Sequence, residues 1–169
     1  MRKGAHLLPE IFAGLQKDTK GKDRILVVLG DGPERQRIED QFRAHGLSAY
    51  VRMEGSVPQE RVHEYYAIAN LFLLPSEEEG FPHVLTEAQA IGLPYVASDV
   101  GGVREMTPPV GHPSIVPYGD VPSFILAAKH LLQDDADYEH FSASAREWVR
   151  QYDKAAILER FLALIARPS

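Results

Sequence analysis

Short apolar runs alternate along this chain with segments of helical periodicity, and this alternation limits the fold more than any other feature. Runs such as RILVVLG and LFLLPS are apolar almost throughout, as is typical of strands with both faces covered. Strands that alternate with helices form a parallel sheet with helices on both faces. We therefore predict a single Rossmann-like α/β domain over residues 1–169, which binds ligands beyond the carboxyl ends of its strands. The predicted strands are residues 24–30, 48–55, 71–76, 94–99 and 114–118, and the predicted helices are residues 33–46, 58–70, 82–91, 121–133 and 138–166.

Composition excludes several classes of protein. At 169 residues the chain is long enough to bury a substantial core. A net charge of −6 argues against a nucleic-acid binder, because phosphate contacts need a basic face. The absence of cysteine rules out disulfides and thiolate metal sites and fits a reducing compartment, so we expect a cytoplasmic protein. The histidines are scattered without the paired spacing of a zinc site, so no metal is expected either.

The N-terminal sequence has basic residues before an apolar run, which can mark a signal peptide. Here His6, Pro9 and Glu10 interrupt the apolar run, and no small-residue cleavage site follows. No segment approaches the roughly 20 apolar residues of a membrane span. The sequence therefore predicts neither a leader nor a transmembrane helix, and leaves peripheral membrane contact open.

The stretch SEEEGFPHVLTEAQAIGLP (residues 76–94) combines a strand end, a glycine-containing loop and a helix start. Gly80 allows close backbone approach, and Pro82 fits a first helical position, where its missing N–H is dispensable. The exposed amides from His83 onward would then attract an anion, phosphate above all. Glu79 and Glu87 flank that position. Carboxylates are poor phosphate ligands, so we expect these two to accept hydrogen bonds from hydroxyl groups on either side of a phosphate.

Two glycine-containing loops follow other predicted strands. Gly101 and Gly102, in SDVGGVRE, could direct backbone amides at the same anion. Two adjacent glycines after a strand are also typical of a simple turn, and both interpretations stay open. The sequence GDGP at residues 30–33 is most simply a turn that starts a helix.

The segment LFLLPSEEEGFPHVLTEAQAIGLPYVASDVGGVRE resembles the C-terminal half of the Glu-x7-Glu retaining glycosyltransferases, the family 4 (group 1) enzymes with the two-domain GT-B fold. The shared pattern is a strand ending Pro-Ser, then Glu-Gly-Phe, Leu-x-Glu-Ala, Gly-x-Pro, another strand and Gly-Gly-x-x-Glu. The resemblance extends to LVVLGDGPER, MEGSVPQERVHEYYAIAN and VPYGDVPSFILAAKHLLQD, and so covers nearly the whole chain from Lys3 onward. Pro82 departs from a common glycine, and Thr86 and Gln89 replace commoner aliphatic residues.

The resemblance implies a donor site for a nucleoside-diphosphate sugar. Glu79 would contact hydroxyls of the donor sugar, and Glu87 would hold the ribose hydroxyls. Lys3 would neutralise the donor diphosphate, because departure of a nucleoside diphosphate develops negative charge. Glu79 and Lys3 are thus the residues assigned to catalysis. The remaining predicted donor-binding residues, mostly acting through their backbone, are Gly4, Ser56, Val57, Gly80, Phe81, His83, Val84, Gly101 and Gly102.

The resemblance also implies that an N-terminal acceptor domain is missing from this chain. Family members are about twice as long, and the second domain completes the cleft. The implied whole enzyme is a hexosyl-type glycosyltransferase, with polysaccharide or glycolipid assembly as its common role. This chain alone would be inactive, because the cleft that positions the acceptor and excludes water is incomplete. The last predicted helix, which carries Trp148, resembles the segment that packs back across the interdomain region.

Two other functions remain as alternatives. A nucleotide-sugar epimerase of GT-B architecture shares the fold, although the complete Glu-Gly-Phe to Leu-x-Glu-Ala pattern favours a transferase. A non-catalytic nucleotide- or sugar-binding module would use the same residues without chemistry. A response-regulator receiver is excluded, because RILVVLG lacks the paired acidic residues of such domains. The sequence does not identify the donor sugar, the base or the acceptor.

Overall fold

A computed structural model describes residues 3–17 and 23–165 of the chain, as thirteen strands and helices. In chain order these are α1 (Leu8–Gln16), β1 (Leu26–Leu29), α2 (Arg35–Ala44), β2 (Val51–Gly55), α3 (Gln59–Ile68), β3 (Phe72–Leu74), α4 (His83–Ile91), β4 (Tyr95–Ser98), α5 (Val103–Met106), β5 (Ile115–Val116), α6 (Val121–Gln133), α7 (Asp135–Trp148) and α8 (Lys154–Ile165). The five strands and the alternation with helices are as predicted, and the Rossmann-like α/β class is confirmed. Within the described residues, no helix has the length and apolar character needed to span a membrane.

The strands form two parallel sheets, whereas the sequence predicts one. β1 pairs with β2, and β3, β4 and β5 form a separate three-stranded sheet in that order. Within the described residues no ladder joins the two sheets. β3 has only three residues, and Pro75, which directly follows it, has no N–H to extend a ladder. The carboxyl ends of β3, β4 and β5 still meet along one edge, because all three run in the same direction.

The hydrophobic core is most tightly closed around the three-stranded sheet. Every residue of β4 is buried, and Leu85 and Ala88 of α4 are fully inaccessible to solvent. Ile11 and Phe12 of α1 are equally deep in this core. Helices α1 and α6 pack against each other, and α4 packs against α7. α4, which carries the candidate site, is therefore held by its buried residues and by its packing on α7.

β1 is less buried than its sequence predicts. The side chains of Ile25 and Val27 are 52% and 36% exposed, although the run RILVVLG reads as a strand covered on both faces. An all-apolar run cannot reveal from its own letters which of its faces the rest of the chain will cover. The prediction of a fully buried strand is wrong for this element.

Several predicted boundaries move by a few residues. Residues Ser48–Tyr50 form a turn of 3₁₀ helix, so β2 starts at Val51. Pro33 lies in the turn before α2, and Pro82 is the residue immediately before α4, so neither proline is the first helical residue. Gly92, with φ of 73°, ends α4 where predicted.

The predicted helix over residues 138–166 is divided in two. α7 starts at Asp135 and ends at Trp148, Val149–Tyr152 form a 3₁₀ turn, and α8 follows. Asp153 between them has extended dihedrals (φ −61°, ψ 143°). The Tyr152 hydroxyl donates to the Glu105 carbonyl at 3.3 Å, a tertiary contact that helical periodicity cannot foresee. Residue 166, the predicted end, lies outside the described residues.

Candidate functional site

The predicted site residues collect at the carboxyl edge of the three-stranded sheet. The loop after β3 carries Glu79 and Gly80 into the start of α4. The chain before α1 brings Lys3 and Gly4 to that loop, and the β4–α5 turn brings Gly101 and Gly102 to its other side. Ser56 and Val57 lie in the turn between β2 and α3, next to the helix that contacts Glu87.

Glu79 is the centre of the first group of contacts. Its side chain is only 7% exposed, and its Oε1 and Oε2 accept hydrogen bonds from Lys3 Nζ at 2.8 and 3.0 Å. The Ser76 hydroxyl donates to the same Oε1 at 2.6 Å, and Ser76 is fully buried. A nearly buried carboxylate needs such partners, because desolvation without them is costly. The lysine assigned to the diphosphate and the glutamate assigned to the sugar are thus direct neighbours.

Gly4 places Lys3 beside Glu79. Its φ is 63°, and a Cβ at this position would lie 1.6 Å from the Pro75 carbonyl oxygen. No side chain larger than hydrogen fits between these two backbones. The glycine predicted to accompany the lysine therefore has a steric role, which is to let the N-terminal segment touch the end of β3.

Gly101 and Gly102 close the opposite side of the same loop. Gly101 has φ of 51°, and a Cβ there would lie 1.6 Å from the Glu79 carbonyl oxygen. The Gly102 amide donates to the Gly80 carbonyl at 3.2 Å. That amide is therefore directed at the loop, and the two glycines act here by permitting the backbones to approach.

The start of α4 has backbone amides that no side chain caps. Its N-cap, Pro82, makes no side-chain capping bond, and Leu85 N donates to Pro82 O at 2.9 Å. The first amides of a helix have no partner within it, so those of His83 and Val84 are placed as the sequence predicts for an anion site. Phe81 is 48% exposed and packs edge-on against His83, with ring centroids 5.3 Å apart.

Glu87 is the centre of the second group of contacts. It lies about one turn into α4, and its Oε1 accepts a hydrogen bond of 2.8 Å from Gln59 Nε2. The Tyr66 hydroxyl lies close to the Glu87 carboxylate. Burial raises the pKa of the Tyr66 phenol above its ordinary value, and the nearby negative charge of Glu87 raises that pKa further. Tyr66 is therefore a donor at any physiological pH.

Three residues of the site were missed by sequence reasoning, namely Ser76, Gln59 and Tyr66. Ser76 is the polar residue directly after an apolar strand, three positions before Glu79, and that position was a usable signal. Gln59 and Tyr66 carry no such signal, because their helix meets Glu87 only through the tertiary packing of α3 on α4.

Two other features lie away from this edge. His130, Asp134 and Asp137 have potential metal-ligand atoms within 4.8 Å of one another at the α6–α7 junction, and all three are exposed. Asp134 also caps α7 by accepting from the Asp137 amide. Separately, an open groove of about 520 Å³ runs beside Trp148 and is lined by Pro108, Pro109, Val110, Ser144, Glu147, Trp148 and Gln151.

Comparison with known proteins decides the family. The family model for glycosyl transferases group 1 matches residues 1–148. The chain belongs to this family. The enzyme 2-deoxystreptamine N-acetyl-D-glucosaminyltransferase of Niallia circulans is 29% identical over 94% of this chain, and alpha-D-kanosaminyltransferase of Streptomyces kanamyceticus is 30% identical over 85%. This group 1 chain spans only 39% and 36% of those two relatives.

Solved structures agree with the family assignment. A sucrose-phosphate synthase from Thermosynechococcus elongatus superposes with a TM-score of 0.81 at 28% identity, covering 97% of this chain and 42% of that enzyme. TarM of S. aureus gives a TM-score of 0.83 at 20% identity over 99% of this group 1 chain and 34% of TarM, a likeness that supports the fold alone. The predicted GT-B glycosyltransferase fold is confirmed.

Proposed function

We propose that this chain is the donor-binding half of a retaining glycosyltransferase, which transfers a hexosyl group from a nucleoside-diphosphate sugar to an acceptor. The observation that carries the proposal is the meeting of Lys3 with the nearly buried Glu79 at the start of α4, in a chain of the group 1 family. The positive charge of Lys3 and the first amides of α4 suit a diphosphate. The Glu79 carboxylate beside them suits the hydroxyls of the attached sugar. Glu87, further along α4, suits the ribose hydroxyls.

The proposed chemistry depends on where charge develops. As the bond from the sugar to the diphosphate breaks, negative charge grows on the departing diphosphate. Lys3 and the first amides of α4 would stabilise that charge, because preformed dipoles and cations need no reorganisation. Since these groups supply positive charge, we propose that no metal cofactor is used. When the donor binds, the Lys3 ammonium would shift its hydrogen bonds from Glu79 to the phosphate. The Glu79 carboxylate would then accept hydrogen bonds from hydroxyls of the donor sugar.

A second domain would complete the active site in the whole protein. The named relatives are longer than this chain by more than half of their own length, and a cleft between two domains positions an acceptor and excludes water. We place the reaction in polysaccharide or glycolipid assembly in the cytoplasm, with this chain alone inactive. The epimerase and the non-catalytic module are not favoured, because the family and the named relatives are transferases.

Calorimetric titration with UDP, GDP and ADP tests the proposal. We expect saturable binding of one nucleotide by the wild-type chain, weakened about tenfold or more in Lys3→Ala and Glu87→Ala. Lys154→Ala, which removes an exposed lysine from the start of α8, is the matched control and should bind like wild type. A folded chain that binds no nucleotide, or binds one equally well in all variants, contradicts the proposed function.

A further inference from the structure

Helix α3 presents two hydrogen-bond donors to one carboxylate of α4. Gln59 and Tyr66 are seven positions apart, two turns of helix, and so lie on the same face of α3. The Gln59 amide donates to Glu87 Oε1 at 2.8 Å, and the Tyr66 hydroxyl lies close to the same carboxylate.

The two donors differ in burial, and that difference matters for geometry. Tyr66 is only 8% exposed and its ring packs edge-on against Phe72 of β3, with centroids 5.4 Å apart. Its hydroxyl is therefore held in place by the core. Gln59, by contrast, is exposed at the first turn of α3, two residues after the Ser56–Val57 turn. One donor fixes Glu87 from the interior and the other from the ligand side.

A carboxylate has about four lone-pair positions. Gln59 occupies one of them on Glu87 and the Tyr66 hydroxyl lies beside the carboxylate, which leaves at least two for a ligand. Two adjacent hydroxyls of a ribose match that remaining capacity. A carboxylate without fixed partners would rotate among several orientations. Ligand binding would then have to remove this conformational entropy, at a cost in affinity.

We propose that Tyr66 and Gln59 are positioning residues, which hold the Glu87 carboxylate oriented for a vicinal diol and so make the site select ribonucleoside diphosphates over 2′,3′-dideoxy analogues. This inference rests on the proposed function, since it presumes a nucleotide at the α4 edge. It adds the two residues that orient the carboxylate. A site built to bond a hydroxyl rejects a ligand without one, because its polar groups are then left unpaired.

The test compares the affinity for each nucleoside diphosphate with that for its 2′,3′-dideoxy form, by calorimetry. UDP, GDP and ADP, with their dideoxy counterparts, are titrated into wild type, Tyr66→Phe and Gln59→Ala. We expect wild type to prefer the ribose form by about tenfold or more, and each variant to lose most of that preference. Affinity for the dideoxy form should stay within about twofold of wild type, which a general loss of structure would not allow.

Tyr65→Phe is the matched control. It removes the same hydroxyl from the adjacent position of α3, about 100° around the helix axis, and should keep the full preference. If Tyr66→Phe unfolds, Gln59→Ala still decides, because Gln59 is exposed. A wild-type preference that survives in both variants overturns the positioning role and leaves the proposed function intact. Equal wild-type affinity for ribose and dideoxy forms overturns the selection rule, and no nucleotide binding at all overturns both proposals.

Discussion

The two sheets of this domain have the same strand direction and differ sharply in burial. Tyr95, Val96 and Ala97 of β4 are fully inaccessible to solvent. On β1, by contrast, Val27 is 36% exposed, and Ile25 just before the strand is 52% exposed. The loops that carry Glu79, Gly101 and Gly102 follow strands of the buried sheet, and the segment with Lys3 and Gly4 packs against the first of these loops. The two-stranded sheet contributes only the turn before α3.

This difference has a consequence for the site. The loop after β3 is clamped between two backbones, with Gly4 on one side and Gly101 on the other, and neither approach has room for a Cβ. Near the two-stranded sheet, Gly30 and Gly46 have open space around them, and a Cβ at Gly55 would come nearest to the end of the Arg35 side chain, at 3.1 Å. Preorganisation is therefore concentrated on the side of the molecule that carries the carboxylates.

The largest expected effect is that of Gly101→Ala. The new methyl group would lie 1.6 Å from the Glu79 carbonyl oxygen, at a residue with φ of 51°. We expect at least about 3 kcal/mol of lost stability, or a displaced loop with lost nucleotide binding. Gly46→Ala is the control, because Gly46 has φ of 70° but nothing within 4 Å. It should cost only about 1 kcal/mol in urea unfolding. Similar losses in the two variants would contradict the steric account.

A matched pair of valines tests the difference in burial. Val96→Ala in β4 removes two methyl groups from a fully buried position and should cost about 2–3 kcal/mol. Val27→Ala in β1 removes the same groups from a side chain that is 36% exposed and should cost about 1 kcal/mol or less. Denaturant midpoints measured on both variants give the comparison. Equal losses would mean that the two sheets are equally important for stability.

An effect smaller than that of Val96→Ala is expected for Tyr95→Phe at neutral pH. The Tyr95 hydroxyl accepts from Gln89 Nε2 and donates to Thr107, so its removal should cost about 1–2 kcal/mol. Gln89 keeps its bond to the Met106 carbonyl, and Thr107 keeps its bond to the Val103 carbonyl, which limits the loss.

Alkaline pH should reduce that cost. Burial raises the pKa of Tyr95 to about 12, whereas an unfolded tyrosine titrates near about 10. Between these values the folded chain keeps a proton that the unfolded chain loses, so stability falls as pH rises from about 10 to about 12. Tyr95→Phe should therefore show a shallower fall in unfolding free energy over this range than wild type. If the unfolding free energy of Tyr95→Phe fell with pH as steeply as that of wild type, the pH effect would not come from the Tyr95 hydroxyl.

The sequence predicted the fold and the main carboxylates for identifiable reasons. Apolar runs and turn residues are local, so the strands, α4 and its end at Gly92 could be located from their letters. The steric roles of Gly4 and Gly101 could not be predicted, because each depends on contact with a backbone segment that is far away in the sequence. The same holds for Tyr66, whose contact with Glu87 arises from packing of α3 on α4, and for the break in the last helix at Asp153.

The central claim is that the nucleotide binds at the carboxyl edge of the three-stranded sheet, and amide chemical shifts in two-dimensional NMR test it most directly. UDP, GDP and ADP would be added to the labelled chain until one of them saturates. Shifts concentrated at the backbone amides of Gly80, Phe81, His83 and Val84, with smaller ones at Ser56, are the predicted result. Saturable shifts confined to the groove beside Trp148, with the start of α4 unmoved, would contradict the claim.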